Sequence, residues 1–345
     1  MLQKIDVFDF TLENKKQIPH IPLFYQTFGP SIGTAPVVLV NHALTGNSNV
    51  TGINGWWNNL IGVDKTIDTN IYTIIAFNIP GNGFDGDVRN LIQNYKGISA
   101  KDIAHLFWHG LFSLKIEVLF AVIGGSLGGG IAWEMANAQP SKIEHLIPIA
   151  TDWKATDWVI ANVLLQDKIL NNSLDPIADA RIHAMMLYRT PQSLKQKFNR
   201  SKNETKQGFQ VSNWLINHGD KLKNRFTLEA YKLMNHLLQT INITSKTNDF
   251  LKTIQSIKST IHVVAINTDL FFLAEENKND VAQVKKLKPN IYYHEIQSIH
   301  GHDAFLIEYN QLSTLLHPIF KKQEENRVEK HNIHQNLKTT KYAKI

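Results

Sequence analysis

One serine in this chain stands where chemistry needs a serine and packing alone does not. Ala121-Val122-Ile123 runs into Gly124-Gly125-Ser126-Leu127-Gly128, and two more glycines and an apolar stretch follow. The G-x-S-x-G spacing, on a strand, then a turn, then a helix, puts a nucleophile on a sharp and strained turn. Neighbours without side chains allow the close approach such a turn requires. Free amides at the start of the helix, with the positive end of its dipole, suit a developing oxyanion. A phosphate-binding loop of the Walker type needs Gly-Lys-Ser/Thr here, and no lysine is present. Ser126 is therefore the expected nucleophile.

A serine needs a base, and the base needs a group to orient it; on this architecture the order is Ser, acid, His. His300-Gly301-His302-Asp303 follows the apolar run Ile291–Ile296 and opens a last helical stretch. His302, which precedes the apolar Ala304-Phe305, is the expected general base, with His300 as the fallback. The acid should follow the preceding strand, and Val263-Val264-Ala265-Ile266-Asn267-Thr268-Asp269 supplies it. Asp269 would accept the Nδ1 proton of His302 and hold Nε2 toward Ser126; a capping role is the competing reading. A second oxyanion donor is expected from the loop after an early strand, at Val40-Asn41-His42-Ala43-Leu44. The backbone N–H groups of Leu44 and Leu127 are the candidates, and His42 reads as structural.

These residues need a frame. Short apolar or β-branched runs recur at Val37–Val40, Tyr72–Phe77, Leu119–Gly124, Leu146–Ile149, Ile261–Ile266 and Ile291–Ile296. Such runs read as strands buried on both faces of a mostly parallel sheet. Helical stretches such as Ser99–Ile116 and Leu127–Ala138 alternate with them, which implies an α/β layer structure with helices on both faces. From Asp152 to Phe250 the pattern changes to amphipathic helices, for example Ile177–Leu187 and Phe226–Leu238. A helical block between two strands of one sheet reads as a lid over the carboxyl edge, where ligands bind. The expected division is a core of residues 1–151 and 251–320, a lid of 152–250 and a basic, disordered tail of 321–345.

The bulk numbers exclude several classes. Of a formal net charge of +6, the tail from Lys321 holds +4, with seven Lys and Arg against three Glu. The remaining body lacks the basic stripe that nucleic-acid binding needs. With 43% hydrophobic and 19% charged residues among 345, the chain has ample material for a core. The absence of cysteine removes disulfides, thiolate metal sites and a cysteine nucleophile. No metal-ligand spacing stands out, because His300 and His302 alone do not close a site. No run is long and apolar enough for a signal peptide or a membrane span, so a cytoplasmic protein without membrane partners is expected.

Read together, several segments resemble the homoserine O-acetyltransferase family, within the α/β-hydrolase fold. They are NHALTGNS at Asn41–Ser48, GWWNNLIGVDKTIDT at Gly55–Thr69, IGGSLGG at Ile123–Gly129, LIPIAT at Leu146–Thr151, HGDK at His218–Lys221 and GHDAFL at Gly301–Leu306. The resemblance implies ping-pong acyl transfer with acetyl-CoA as co-substrate, no bound cofactor, and homoserine or a related hydroxy amino acid as acceptor. It implies that Arg181 and Tyr188 hold the acceptor carboxylate and that Asp303 binds its amino group. The spacing agrees, since seven residues are two helical turns and both side chains leave one face. The family is a homodimer through the lid, for which Trp214–Leu215 and Leu233–Leu238 would serve unless they face the core. The chain departs from the pattern after Asn78, where Ile79-Pro80-Gly81-Asn82-Gly83 replaces a G-S-T-G-P stretch. It departs again in the first lid helix, where Gln166 stands near the place of a family arginine. A carboxylesterase on the same triad, with water as acceptor, is the alternative, and a non-catalytic interaction protein a more distant one.

Overall fold

Residues free of charge on both faces become strands that are covered on both faces. A computed structural model, described for residues 1–202 and 208–321, carries the strands β1 (Gln3–Thr11), β2 (Gln17–Phe28), β3 (Val37–Asn41), β4 (Ile61–Gly62), β5 (Ile67–Asp68) and β6 (Thr73–Phe77). Helix α1 (Ala100–Ser113), β7 (Leu119–Gly125), α2 (Leu127–Ala138) and β8 (Ile143–Ile149) follow. Then come α3 (Asp157–Asn172), α4 (Pro176–Tyr188), α5 (Pro191–Phe198), α6 (Gln210–Lys223), α7 (Leu228–Thr240) and α8 (Phe250–Ser256). The described chain closes with β9 (Thr260–Ile266), α9 (Ala274–Val284), β10 (Ile291–Ile296), a 3₁₀ turn at Gly301–Leu306 and a helical segment over 309–321.

Eight strands form one sheet in the order β1-β2-β6-β3-β7-β8-β9-β10, with β4 and β5 as a separate pair. Only the β1–β2 and β2–β6 pairs are antiparallel; from β6 to β10 all neighbours are parallel. Alternate residues of one strand enter two different cores. Val37 and Leu39 join the core that holds α1 and α2, while Val38 and Val40 join the one that holds Trp57, Tyr72 and Leu316. That division is why β3 and β7 read as unbroken apolar runs. The β1–β2 hairpin was not among the expected strands, because β1 buries only one residue fully, Val7. Its signal is an alternation: in β2, Ile21, Leu23 and Tyr25 are buried in turn.

Helix α1 starts on a capping box between Ser99 and Asp102 and stops at Ser113, short of the expected Ile116. Lys115 at φ 60° turns the chain out of the helix there. Between β8 and β9 the chain leaves the sheet for α3 to α8; α3, α4, α6 and α7 pack on one another, and α4 packs on the 3₁₀ turn at Gly301–Leu306. Leu233, Leu237 and Leu238 of α7 are buried in the core of this one chain, so they are not an outer face for a second copy. Exposed apolar residues of this helical block lie elsewhere, among them Trp158, Ile160, Leu164 and Leu165 of α3, Met186 of α4 and Ile216 of α6. No helix among the described residues is long and apolar enough to cross a membrane. The tail expected to be disordered lies, beyond Lys321, outside the described residues.

The lid's return is anchored by a carboxyl group. Glu134 of α2 accepts a hydrogen bond from the Asn242 amide at 2.7 Å, while its Oε2 is buried without a partner. Burial pushes this carboxyl up to about 7, from 4.5 for a free side chain. The native state thus holds a proton that the unfolded chain releases between those values, and stability falls as pH rises through that window. Glu134→Gln keeps the acceptor oxygen and cannot ionise. It is expected to match the wild type at about pH 4, below the free value, and to exceed it by about 2–3 kcal/mol at pH 8 in denaturant unfolding. Equal stability of the two proteins at pH 8 would show that folding does not raise the Glu134 carboxyl above its free value.

Candidate active site

Ser126 sits between β7 and α2 with φ 56° and ψ −125°, a backbone conformation that side-chain-bearing residues rarely adopt. The turn is held by the Ser126 amide, which donates to Ile149 O at 2.8 Å, and by the Gly129 amide, which donates to Ser126 O at 2.9 Å. Glycine is required around it for lack of space. A Cβ on Gly128 would lie 2.3 Å from Asn41 O, and one on Gly124 would lie 2.4 Å from the Gly128 carbonyl carbon. The motif's outer glycines thus let α2 start directly against β3 and β7.

Asp269 and His302 meet at 2.7 Å, Oδ2 to Nδ1, with both side chains almost fully buried. The other oxygen, Oδ1, accepts the amides of Phe271 at 2.7 Å and Phe272 at 3.0 Å. The carboxylate is therefore pinned by the backbone and can only accept from Nδ1, which leaves Nε2 as the basic nitrogen. The imidazole is walled by Tyr188, Phe271, Phe272 and Phe305, with ring centroids 5.2 to 5.8 Å away. Phe305 also packs on the serine turn, since a Cβ on Gly125 would lie 2.4 Å from its ring. The loop that carries His302 is tied to β9: Gly301 N donates to Thr268 Oγ1 at 3.2 Å and Ser298 N to Asn267 Oδ1 at 2.9 Å. Among the described residues Ser126 Oγ makes no hydrogen bond to His302. Such contacts tighten on substrate binding.

His300 is drawn elsewhere, its Nδ1 facing Arg189 Nη2 at 3.3 Å. His42 has both nitrogens engaged. Nδ1 donates to Ala43 O at 2.7 Å and Nε2 accepts the Ile79 amide at 3.0 Å, and burial lowers its pKa to about 4. It is a neutral strut between the loop after β3 and the loop after β6. In that first loop the Leu44 amide, like the Leu127 amide at the start of α2, has no hydrogen-bond partner among the described residues. Both are free to donate to an oxyanion.

The substrate-binding candidates gather on the lid side of the imidazole. The Arg181 guanidinium lies 5.5 Å from the Tyr188 ring centre, and Tyr188 in turn faces His302. Burial pushes the Tyr188 phenol up to about 12, so it is neutral. Burial also raises Asp303, against the opposing pull of Arg181, His302 and Arg189. Arg189, which no spacing argument singled out, is the ion partner of Asp303 at 3.7 Å, and its side chain is 13% exposed. Its only sequence signal is adjacency to Tyr188. Among the described residues no group of three or more His, Asp or Glu could hold a metal ion.

Known proteins share this fold. A family model described as the alpha/beta hydrolase fold matches residues 36–307. A homoserine O-acetyltransferase of Cyclobacterium marinum is 31% identical, over 89% of this chain and 91% of that one. A homoserine O-succinyltransferase of Neisseria meningitidis serogroup B is 30% identical, over 86% of this chain and 89% of that one. Among solved structures esterase E22 matches with a TM-score of 0.82 and 18% identity, over 93% of this chain and 100% of that one, a likeness of fold alone. Fold, serine turn and extent of match agree: this chain is an acyltransferase of the homoserine O-acetyltransferase family, built on the α/β-hydrolase fold.

Proposed function

We propose that the protein moves an acetyl group from acetyl-CoA to the hydroxyl of homoserine, or of a closely related hydroxy amino acid, through an acyl-serine intermediate. Ser126 Oγ attacks the thioester carbonyl while His302 Nε2 takes its proton. The oxyanion accepts from the amides of Leu44 and Leu127. The carbon–sulfur bond breaks, and the coenzyme A sulfur leaves with the proton returned by His302. The acceptor hydroxyl then attacks the acetyl-serine, His302 takes that proton, and the ester forms as the proton passes back to Ser126 Oγ. Asp269 holds the imidazole in the tautomer that both halves use.

The observation that supports this reading is an arginine, a neutral phenol and a carboxyl group gathered beside the His302 imidazole. Tyr188 packs against the His302 ring, Arg181 lies over the Tyr188 ring and Asp303 follows His302 in the chain; an esterase releasing its acyl group to water has no use for such a set. The deciding measurement is coenzyme A release from acetyl-CoA with and without homoserine, followed by mass spectrometry of the products. Release that depends on homoserine, with O-acetylhomoserine formed, supports the transferase. Hydrolysis of simple esters with no transfer to homoserine or serine supports the esterase instead. Arg181→Ala is expected to raise the KM for the amino acid by roughly 10- to 100-fold, as loss of a charged hydrogen bond does, and to leave acylation of Ser126 unchanged. Equal loss in both half-reactions would remove Arg181 from the acceptor site.

A further inference from the structure

The end of helix α4 grips the loop that carries His302. Three consecutive residues, Tyr188, Arg189 and Thr190, meet five consecutive ones, Ile299 to Asp303. Thr190 Oγ1 donates to Ile299 O, and the Tyr188 ring packs on the His302 ring at 5.2 Å. The Tyr188 carbonyl oxygen would lie 2.9 Å from a Cβ on Gly301, which has φ 68°. Glycine at 301 is what lets the two segments come this close. Arg189 makes two contacts, Nη2 with His300 Nδ1 at 3.3 Å and Nη1 with Asp303 Oδ2 at 3.7 Å.

The two partners of Arg189 stand on either side of His302 in the chain. A guanidinium has no acceptor atom, so His300 Nδ1 is the acceptor of that contact. Trp214 of α6 lies against the guanidinium, 5.9 Å from it. Arg189 Nε is buried without a partner among the described residues. Burying a guanidinium in this way costs stability, and an apolar side chain would fill the same space without that cost. Its presence here points to a function beyond packing.

His302 needs such support. Asp269 holds the imidazole at Nδ1, and Nε2 can still swing about that point. The reach of Nε2 toward Ser126 is then set by the backbone position of residue 302. One side of the loop is tied to β9 through Thr268 and Asn267, and the other side rests on α4. We infer that Arg189 is a positioning residue for His302: by holding His300 and Asp303 it fixes the backbone between them, so that Nε2 meets the Ser126 hydroxyl during acylation. The inference rests on the reading of His302 as general base. It gives α4 a part in acylation itself, because the helix that carries Arg181 ends at Arg189.

The test is the acylation half-reaction alone, in the full-length protein with acetyl-CoA or p-nitrophenyl acetate and no amino acid, so that acceptor binding does not enter. Arg189→Met keeps an unbranched stem and removes the donors. It is expected to slow acylation roughly 100-fold, as a shift of about 1 Å at a catalytic group does, with the KM for the ester unchanged. Intact-protein mass should still reach complete acetylation of Ser126, which a misfolded fraction would prevent. His300→Ala removes one partner and is expected to slow acylation roughly 10-fold. The double variant is expected to be no slower than Arg189→Met.

An Arg189→Met rate within about 2-fold of the wild type, with the change confined to the KM for homoserine, assigns Arg189 to the acceptor site and overturns the inference. Effects that multiply in the double variant overturn it as well. If Arg189→Met does not fold, His300→Ala decides, and a wild-type rate in that variant overturns the inference. His302→Ala tells the two readings apart. Acylation unslowed in His302→Ala removes the general base and this inference together, whereas its loss there beside a wild-type rate in Arg189→Met removes the inference alone.

Discussion

Ser126→Ala protein incubated with acetyl-CoA is expected to carry no acetyl adduct, and its turnover to fall by roughly 10⁶-fold. The argument is covalent. Without Oγ no acyl-enzyme forms, and what remains is direct attack by the acceptor on bound thioester, helped only by the oxyanion amides and by proximity. The change is small in every other respect. Ser126 Oγ makes no hydrogen bond among the described residues, and alanine meets the same strain at φ 56° as serine does. Stability should therefore stay within about 0.5 kcal/mol of the wild type. Intact-protein mass spectrometry reads the adduct and chemical denaturation reads the fold. A persistent acetyl adduct at this stability would move the nucleophile to another residue.

Asp269→Asn is expected to lower kcat by about 10⁴-fold with the protein still folded. The size of the effect follows from the hydrogen bonds on the carboxylate. One oxygen is held by the amides of Phe271 and Phe272, and only an acceptor satisfies those two donors. In the variant the asparagine oxygen must take that place, so its NH₂ faces His302 Nδ1. The imidazole is then forced to carry its proton on Nε2, and it cannot take one from Ser126 or from the acceptor. The expected signature is loss in both half-reactions alike, which separates this variant from Arg181→Ala. Coenzyme A release and product formation in single-turnover experiments make the comparison. A variant within 10-fold of the wild type would mean that Asp269 serves only the turn at Phe271 and Phe272.

Much of the site can be read from local pattern. G-x-S-x-G between an apolar strand and a helix is local information, because the close approach of β3, β7 and α2 leaves room only for glycine at 124 and 128. The order Ser126, Asp269, His302 is a property of connectivity, since each residue follows a strand that apolar composition reveals. The Arg181–Tyr188 pair is legible as two turns of one helix. Strands buried on both faces announce themselves in the same way, whereas β1, with one face toward water, hides in an alternation easily read as coil.

Other features belong to no single segment. His300 and His302 are two residues apart in similar company, and only the placement of β9 against the final loop decides that Asp269 meets His302 while Arg189 faces His300. Arg189 itself becomes visible as a partner of Asp303 once α4 lies on the 3₁₀ turn. Leu233, Leu237 and Leu238 are equally apolar in a dimer face and in a core, and the packing of α7 assigns them to the core. A small cavity lined by Leu44, Gln166, Tyr188 and Phe271 exists only because segments from distant parts of the chain meet there. The sequence by itself thus determined the layer structure, the strained turn at Ser126 and the chain order of Ser126, Asp269 and His302, because backbone strain, helical period and burial act over a few residues. Tertiary structure alone decided which histidine pairs with Asp269, which arginine meets Asp303 and where the leucines of α7 lie. Those depend on distances between segments, which no local spacing encodes.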